Sequence, residues 1–385
     1  MVERVGVVGA GTMGAGIAQL GCLGGFEVVL HDPDPAALAS GADRLRAALA
    51  KGANKGLWTS DAAAGAAEAL ETAEFEGLAG CDLVIEAAPE DLALKRRLFS
   101  DLAHTCGPDA ILATNTSSIP VSEIAAEVER PERVLGMHFF NPPPLMKLVE
   151  IVAGERTSEG ALDETTEVAR SMGREPVRAA DSPGFIVNRC NRPYALEALR
   201  MLGEGVAGHA ELDRAMRVEG GYRMGPFELM DLIGIDVNLG VAKSFYGQRE
   251  IARWEPHPIQ ERMVADGRLG RKAGRGFYDY KNGRKAVDAE EAADEPLARA
   301  VFERIVSCLA NEASFAVEEG VAEPDDIDTA MRLGLNHPRG PFEWRSELGA
   351  GRMVATLDTL AENAASEREA ERYRVADSLR ELAAK

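Results

Sequence analysis

The stretch RVGVVGAGTMGAGIAQLGCLGGFEVVLHD, residues 4–32, decides the fold. Its first residues, Arg4–Val8, are a short apolar, valine-rich run of the kind a buried strand needs, and Gly9, Ala10, Gly11, Thr12, Met13 and Gly14 follow directly. An apolar-rich helical segment, 15–23, comes next. In that context the first glycine permits a tight turn and the second lets a pyrophosphate approach the backbone. The third lets the helix pack on the strand with its N-terminal N–H groups facing the phosphates. A second strand, 27–31, ends in Asp32, about twenty residues beyond the glycines, where a carboxylate accepts from both ribose hydroxyls of an adenosine. Pro33 rather than an arginine follows it, so a 2′-phosphate would meet only negative charge, and NAD is expected in preference to NADP. The reading is an α/β, Rossmann-type dinucleotide-binding domain.

Alternation of strand and helix continues outward from this start. A helix is expected over 36–50, with Arg44, Arg46, Lys51 and Lys55 along and after it; these cations read either as a solvated face or, at Lys51 and Lys55, as partners of a ligand phosphate. An apolar strand over 82–87 leads to Pro89 and Glu90 and then to a helix that carries Lys95. Another, 110–114, ends in Asn115, Thr116, Ser117 and Ser118, and the strand 133–137 delivers His138. Loops after the C-terminal ends of strands face the cofactor crevice in such sheets, so Ser117 and His138 are expected at that edge.

The segment HFFNPPPLMKLVE, residues 138–150, reads as strand, turn, strand: Asn141 and three prolines separate two apolar runs, and the second run carries a single carboxylate, Glu150. If the chain folds back about Pro144, antiparallel partners sum to a constant and His138 lies opposite Glu150. A carboxylate on an apolar strand is costly unless paired. Beside an imidazole it fixes the tautomer and stabilises the imidazolium that forms when the ring accepts a proton, which makes a general base with its orienter. The plainer alternative is a structural histidine and a glutamate at a sheet edge.

A helix over 160–172 and a strand near 176–178 complete the α/β unit, and the punctuation DSPG at 181–184 marks a boundary. Beyond it only helices are expected, beginning with 185–202, whose Asn188 either reaches solvent or points back across an interdomain cleft. Sliding the sequence on itself by 115 residues reveals an internal repeat: Glu197-Ala198 recurs as Glu312-Ala313, the run at 204–207 at 319–322, Asp213 as Asp328, and the GPFE of 225–228 at 340–343. The position matching Asn188 is Glu303, so the second copy reads as packing or assembly surface. The expected domains are 1–182, 183–283 and 284–385, with the glycine- and lysine-rich run 270–280 either a linker or a segment that brings Lys272 back to the cofactor.

Composition narrows the function classes. The 385 residues carry a formal charge of −20, which argues against nucleic acid or an anionic membrane as partner while allowing a local basic pocket. Five cysteines without a CxxC pair or zinc-ligand spacing read as reduced thiols, and no metal is expected. No apolar run is long enough to span a bilayer, and the first strand starts too early for a leader, so the cytoplasm is expected.

Taken together, GAGTMGAGIAQ, NTSS, HFFNPPPLMKLVEIV, DSPGFIVNR and MGPFELMDLIG resemble the L-3-hydroxyacyl-CoA dehydrogenase family over nearly the whole chain. The resemblance implies hydride exchange between NAD and a (S)-3-hydroxyacyl-CoA or 3-oxoacyl-CoA. It implies His138 as the catalytic base, Glu150 as its partner, Ser117 on the substrate oxygen and Asn188 as a further polar contact. It also implies NAD contacts from Asp32, Glu90, Lys95, Asn115, Asn141 and Lys272, and CoA contact near Lys55. The family's usual hydroxyl residue after Lys272 is Ala273 here. Members with one helical copy dimerise through it; with two copies in one chain, pairing within the chain is expected, and a homodimer stays open. The rival expectations are a dehydrogenase of a free polyol or sugar acid sharing this layout, as in lambda-crystallin, and a non-catalytic NAD-binding scaffold.

Overall fold

A computed structural model describes residues 2–285 and 294–385, and the chain divides into two compact units, Met1–Phe185 and Ile186–Lys385. Eight strands build the first: β1 Arg4–Val8, β2 Glu27–His31, β3 Leu70–Thr72, β4 Leu83–Glu86, β5 Ile111–Thr114, β6 Val134–Phe139, β7 Leu148–Ala153 and β8 Glu175–Ala180. Their order across the sheet is β3-β2-β1-β4-β5-β6-β7-β8, parallel except where β7 runs against β6. The direction of winding reverses between β1 and β4, where sheets of this kind leave a crevice at their C-terminal ends. Central strands such as β4 and β6 are buried at every residue, which explains why they read as continuous apolar runs without alternation.

Helices α1 Thr12–Leu23, α2 Pro35–Asn54, α3 Ser60–Glu68, α4 Leu92–Thr105, α5 Val121–Ile124 and α6 Glu159–Ser171 complete the unit. The glycine turn works by close approach: a Cβ on Gly14 would lie 1.7 Å from the carbonyl oxygen of Gly9. Asp34 caps α2 by accepting from the Ala36 N–H at 2.9 Å, with Pro35 at the first helical position. The sequence reading passed over α3 and β3; β3 has three residues, too few for a two-residue period to show.

The second unit is helical: α7 Val187–Cys190, α8 Arg192–Glu204, α9 His209–Gly220, α10 Pro226–Ile233, α11 Ile235–Arg249, α12 Pro258–Ala265, α13 Glu295–Glu318, α14 Pro324–Leu335, α15 Pro341–Leu348, α16 Ala350–Glu362, α17 Glu367–Glu371 and α18 Asp377–Ala383. One expectation is corrected, and one of two open readings is excluded. The single helix expected over 185–202 is two, because Phe185 has φ +52°, outside the helical region, and Pro193 lacks the N–H that would continue a first helix. The run 270–280 is no linker. The N–H groups of Phe277 and Tyr278 donate to the two Asp231 carboxylate oxygens, both at 2.9 Å, and a Cβ on Gly276 would strike that carboxylate.

The repeat is a repeat of hydrogen bonds as well as letters. Asp213 accepts from the N–H groups of Phe227 and Glu228 (2.8 and 3.0 Å), and Asp328 from those of Phe342 and Glu343 (2.9 and 3.1 Å). Glu228 accepts from Gly225 N–H and Glu343 from Gly340 N–H, which closes the N-termini of α10 and α15 alike. The copies also exchange partners. Arg189 of the first meets Glu312 and Glu319 of the second, each at 2.9 Å, while Arg304 of the second meets Glu197 and Glu204 of the first at 2.6 and 2.7 Å. Each of these residues matches its counterpart at the 115-residue offset, so the packing is self-complementary, as across a two-fold axis. Tyr222 and His337, also a matched pair, touch each other with ring centroids 4.9 Å apart. The expected pairing of the repeats within the chain is therefore present. Among the described residues no helix is long and apolar enough to cross a membrane, and the five cysteines are buried and form no disulfide.

Candidate active site

The antiparallel register of β6 and β7 pairs His138 with Glu150, as the fold-back about Pro144 predicts. His138 Nδ1 lies 2.6 Å from Glu150 Oε2, with the glutamate fully buried and the histidine 6% exposed. A carboxylate only accepts, so Nδ1 carries the proton of this bond and Nε2 keeps its lone pair. The Phe140 and Phe185 rings pack against the imidazole at 4.6 and 5.8 Å between centroids, giving an apolar wall around one basic nitrogen.

Asn115 ties the ends of the neighbouring strands together: its N–H donates to the Glu86 carbonyl at 2.8 Å, and its side-chain oxygen accepts from Phe139 N–H at 2.8 Å. Ser117 stands two residues further on, in a loop gathered by a single acid. Glu90 Oε1 accepts from Thr116 Oγ1 at 2.7 Å, from the N–H of Ser117 at 2.9 Å and of Ser118 at 3.2 Å, and from Ser118 Oγ at 3.1 Å. Burial pushes the Glu90 carboxyl up, but the Thr116 bond, the Lys95 charge and the two serines outweigh it and hold it below the usual range.

Lys95 is 1% exposed, and its Nζ lies 2.6 Å from Glu86 Oε1 and 3.5 Å from Glu90 Oε2. The same Glu86 accepts from Thr114 Oγ1 at 2.7 Å and from Ala88 N–H at 2.6 Å. Glu86 and Thr114 were missed in the sequence. A signal existed, because a glutamate inside the apolar strand 83–86 demands a buried cation, and Lys95 is the next lysine along the chain.

At the switch between β1 and β4 a crevice of about 880 Å³ is lined by Gly9, Gly11, Asp32, Phe75, Ala88 and Leu94 among others. Thr12 and Met13 open α1 beside it, and nothing would meet a Cβ on Gly11 within 4 Å. Asp32 Oδ2 accepts from Ala10 N–H at 2.8 Å and Oδ1 from Asp34 N–H at 3.0 Å, so the carboxylate is held at the crevice rim by the turn itself. Glu74, Glu76 and Asp101 line the same crevice. These residues fit an adenine dinucleotide: a close glycine turn, the N-terminus of a twelve-residue helix and a fixed acid at ribose distance along the chain. Lys51 lies in the last turn of α2 and Lys55 just past it, both exposed. Asn141 begins the proline turn after β6. In the helical unit, the Asn188 carbonyl accepts from Arg192 Nε at 3.0 Å and Lys272 is paired with Asp236 at 2.7 Å.

Comparison with known proteins agrees with this arrangement. Residues 4–182 match the NAD binding domain of 3-hydroxyacyl-CoA dehydrogenase, and the C-terminal domain of that family matches twice, at 184–280 and 301–385. A 3-hydroxyadipyl-CoA dehydrogenase of Escherichia coli is 37% identical, with 99% of this chain and 98% of the relative covered. A 3-hydroxybutyryl-CoA dehydrogenase of Clostridioides difficile is 41% identical over 72% of this chain and 99% of its own. The crystal structure of a 3-hydroxybutyryl-CoA dehydrogenase from Escherichia coli K12 superposes with a TM-score of 0.93 at 36% identity, covering 100% of this chain and 98% of that one. With both domains matched and the His138–Glu150 pair seated near the C-terminal end of β6, the chain belongs to the 3-hydroxyacyl-CoA dehydrogenase family of NAD-dependent oxidoreductases.

Proposed function

We propose that the chain interconverts a (S)-3-hydroxyacyl-CoA and the corresponding 3-oxoacyl-CoA, with His138 as general base and acid and Glu150 as its orienter. The observation that carries the reading is the buried 2.6 Å bond between them, which leaves His138 Nε2 as an acceptor for the substrate hydroxyl proton. NAD, when bound, supplies the hydride acceptor at the carbinol carbon. His138 takes the proton from the hydroxyl as that carbon loses hydride, and Glu150 stabilises the imidazolium; in reduction the same nitrogen returns the proton to the carbonyl oxygen. Ser117, in the loop gathered by Glu90, is assigned to hydrogen-bond the substrate oxygen. Gly9, Gly11, Gly14 and Asp32 are assigned to the dinucleotide, and Lys55 to the CoA end.

The substrate class follows the relatives, two of which are named for 3-hydroxybutyryl-CoA and 3-hydroxyadipyl-CoA. We assign short acyl chains, neutral or ending in a second carboxylate. The test is NADH oxidation with acetoacetyl-CoA, 3-oxoadipyl-CoA and free acetoacetate side by side. Turnover with a thioester and none with the free acid is expected; preference for the free acid overturns the acyl-CoA assignment.

A further inference from the structure

Each feature where the two helical copies meet has a mate for comparison. On one side Arg189 meets Glu312 and Glu319, and the space over this pair is filled by aromatic rings. Phe245 packs edge-on to Trp254 at 5.7 Å, Arg189 lies 5.3 Å over Trp254, and Arg253 lies 4.1 Å over Phe315 while bonding Glu312. Phe245, Trp254 and Phe315 are all buried. On the other side Arg304 meets Glu197 and Glu204, but the fillers are smaller or charged: Leu360 matches Phe245 and Arg200 matches Phe315. Tyr373 stands over Arg304 at 5.9 Å as Trp254 stands over Arg189. There a cavity of about 560 Å³ opens, wholly within the second unit.

We propose that this cavity binds a small organic oxyanion, a phosphate or carboxylate head on a short apolar body. Arg304 and Arg200 are engaged by Glu197 and Glu204, but Arg262, Arg372 and His257, which also line the cavity, keep donors without an acceptor. The Arg262 guanidinium is exposed and has no partner among the described residues, and Arg372 binds Glu255 through Nη2 at 3.0 Å while its Nε is buried without an acceptor. His257 Nδ1 accepts from Ile259 N–H at 3.3 Å, which places the ring proton on Nε2 as a further donor. Two carboxylates also line the space: Glu204, neutralised by Arg304, and Glu369, 3.9 Å from Arg372. Burial and the charges of Arg200, Arg372 and Arg262 hold His257 down at about 4 against the opposing pull of Glu204, so the potential at the ring is positive. Guanidinium forks suit phosphate and carboxylate heads. Pro258, Ile259 and Leu360 give the body an apolar seat.

The test follows the His257 ring resonance in the full chain near neutral pH while inorganic phosphate, butyl phosphate and hexanoate are titrated separately to about 10 mM, ample for a millimolar site. A saturable shift with butyl phosphate or with hexanoate is expected, and which of the two produces it tells an ester phosphate from a carboxylate. Arg262→Ala should weaken that probe about tenfold, the loss of a charged hydrogen bond. Leu360→Phe, which copies Phe245 of the mate, together with Ala364→Phe to fill the remaining space, should abolish the shift and leave acyl-CoA turnover unchanged. No shift with either organic probe, or a shift that survives in both variants, overturns the proposal; a response to inorganic phosphate alone overturns its organic part.

Discussion

His138 gives one nitrogen to an acid and keeps the other for chemistry, and the proposed reaction needs both. His138→Ala should lower turnover by about a hundred- to ten-thousandfold while NAD binding, measured by fluorescence titration, stays within error. An unimpaired rate in that variant removes His138 from the role. Behind the serine loop stands the buried pair Glu86 and Lys95, and Lys95 reaches the loop through the more exposed Glu90. Lys95→Met leaves Glu86 charged and enclosed, and should cost about 3–5 kcal/mol in urea unfolding; Lys95→Met with Glu86→Gln should recover much of it. If the single and double variants are equally stable, the pair is not what holds this corner. The His138–Glu150 contact was legible because antiparallel register is arithmetic on the sequence. Of the Glu86 network only the demand for a buried cation was legible; its contact with Thr114 was not, since that joins the ends of two parallel strands and no short-range rule fixes which strands meet.

At the scale of elements, the Asp213 and Asp328 carboxylates each close the start of a helix fourteen residues downstream, so α10 and α15 depend on α9 and α14. Asp328→Ala orphans the N–H groups of Phe342 and Glu343 and should cost about 1–3 kcal/mol for each that stays buried, measured by denaturant unfolding. Between α14 and α15, His337 lies against the Tyr194 and Tyr222 rings, and burial pushes its imidazole down to about 3. The unfolded ring takes a proton below its ordinary pKa of about 6.5, and the folded ring does not. Its contribution to stability is therefore complete above that pH and is lost as pH falls toward 3, by about 1.4 kcal/mol per unit. His337→Phe should lose less stability than the parent between pH 7 and 5; equal losses would show that the ring is not what titrates. Element boundaries were legible where caps and apolar runs agree, as in β1 and β2. They failed at Phe185 and at the run 270–280, where a positive φ and a carboxylate contacted from far along the chain decide the backbone.

For the whole molecule, the copies of the helical unit are joined by exchanged charges rather than laid end to end. Arg189→Met removes the cation that the two acids share across the interface but leaves Glu312 with Arg253 and Glu319 with Arg249, and should cost about 1.5–3 kcal/mol, the loss of a charged hydrogen bond. Because the copies share these pairs, residues 186–385 should melt in one calorimetric transition, with enthalpies from heat and from the van't Hoff slope in agreement; two separate transitions would mean that the copies are independent. The repeat itself was visible by self-comparison, and so were its retained charges, Arg189 with Arg304 and Glu197 with Glu312. What self-comparison lacks is the swap, since matched letters say nothing about whether a residue answers to its own copy or the other. That swap has a consequence for how the protein lives at low concentration. Where separate halves must find each other by diffusion, here the encounter is a first-order event within one polymer, indifferent to dilution. A chain cut between the copies would regain that dependence and seek its missing half in another molecule.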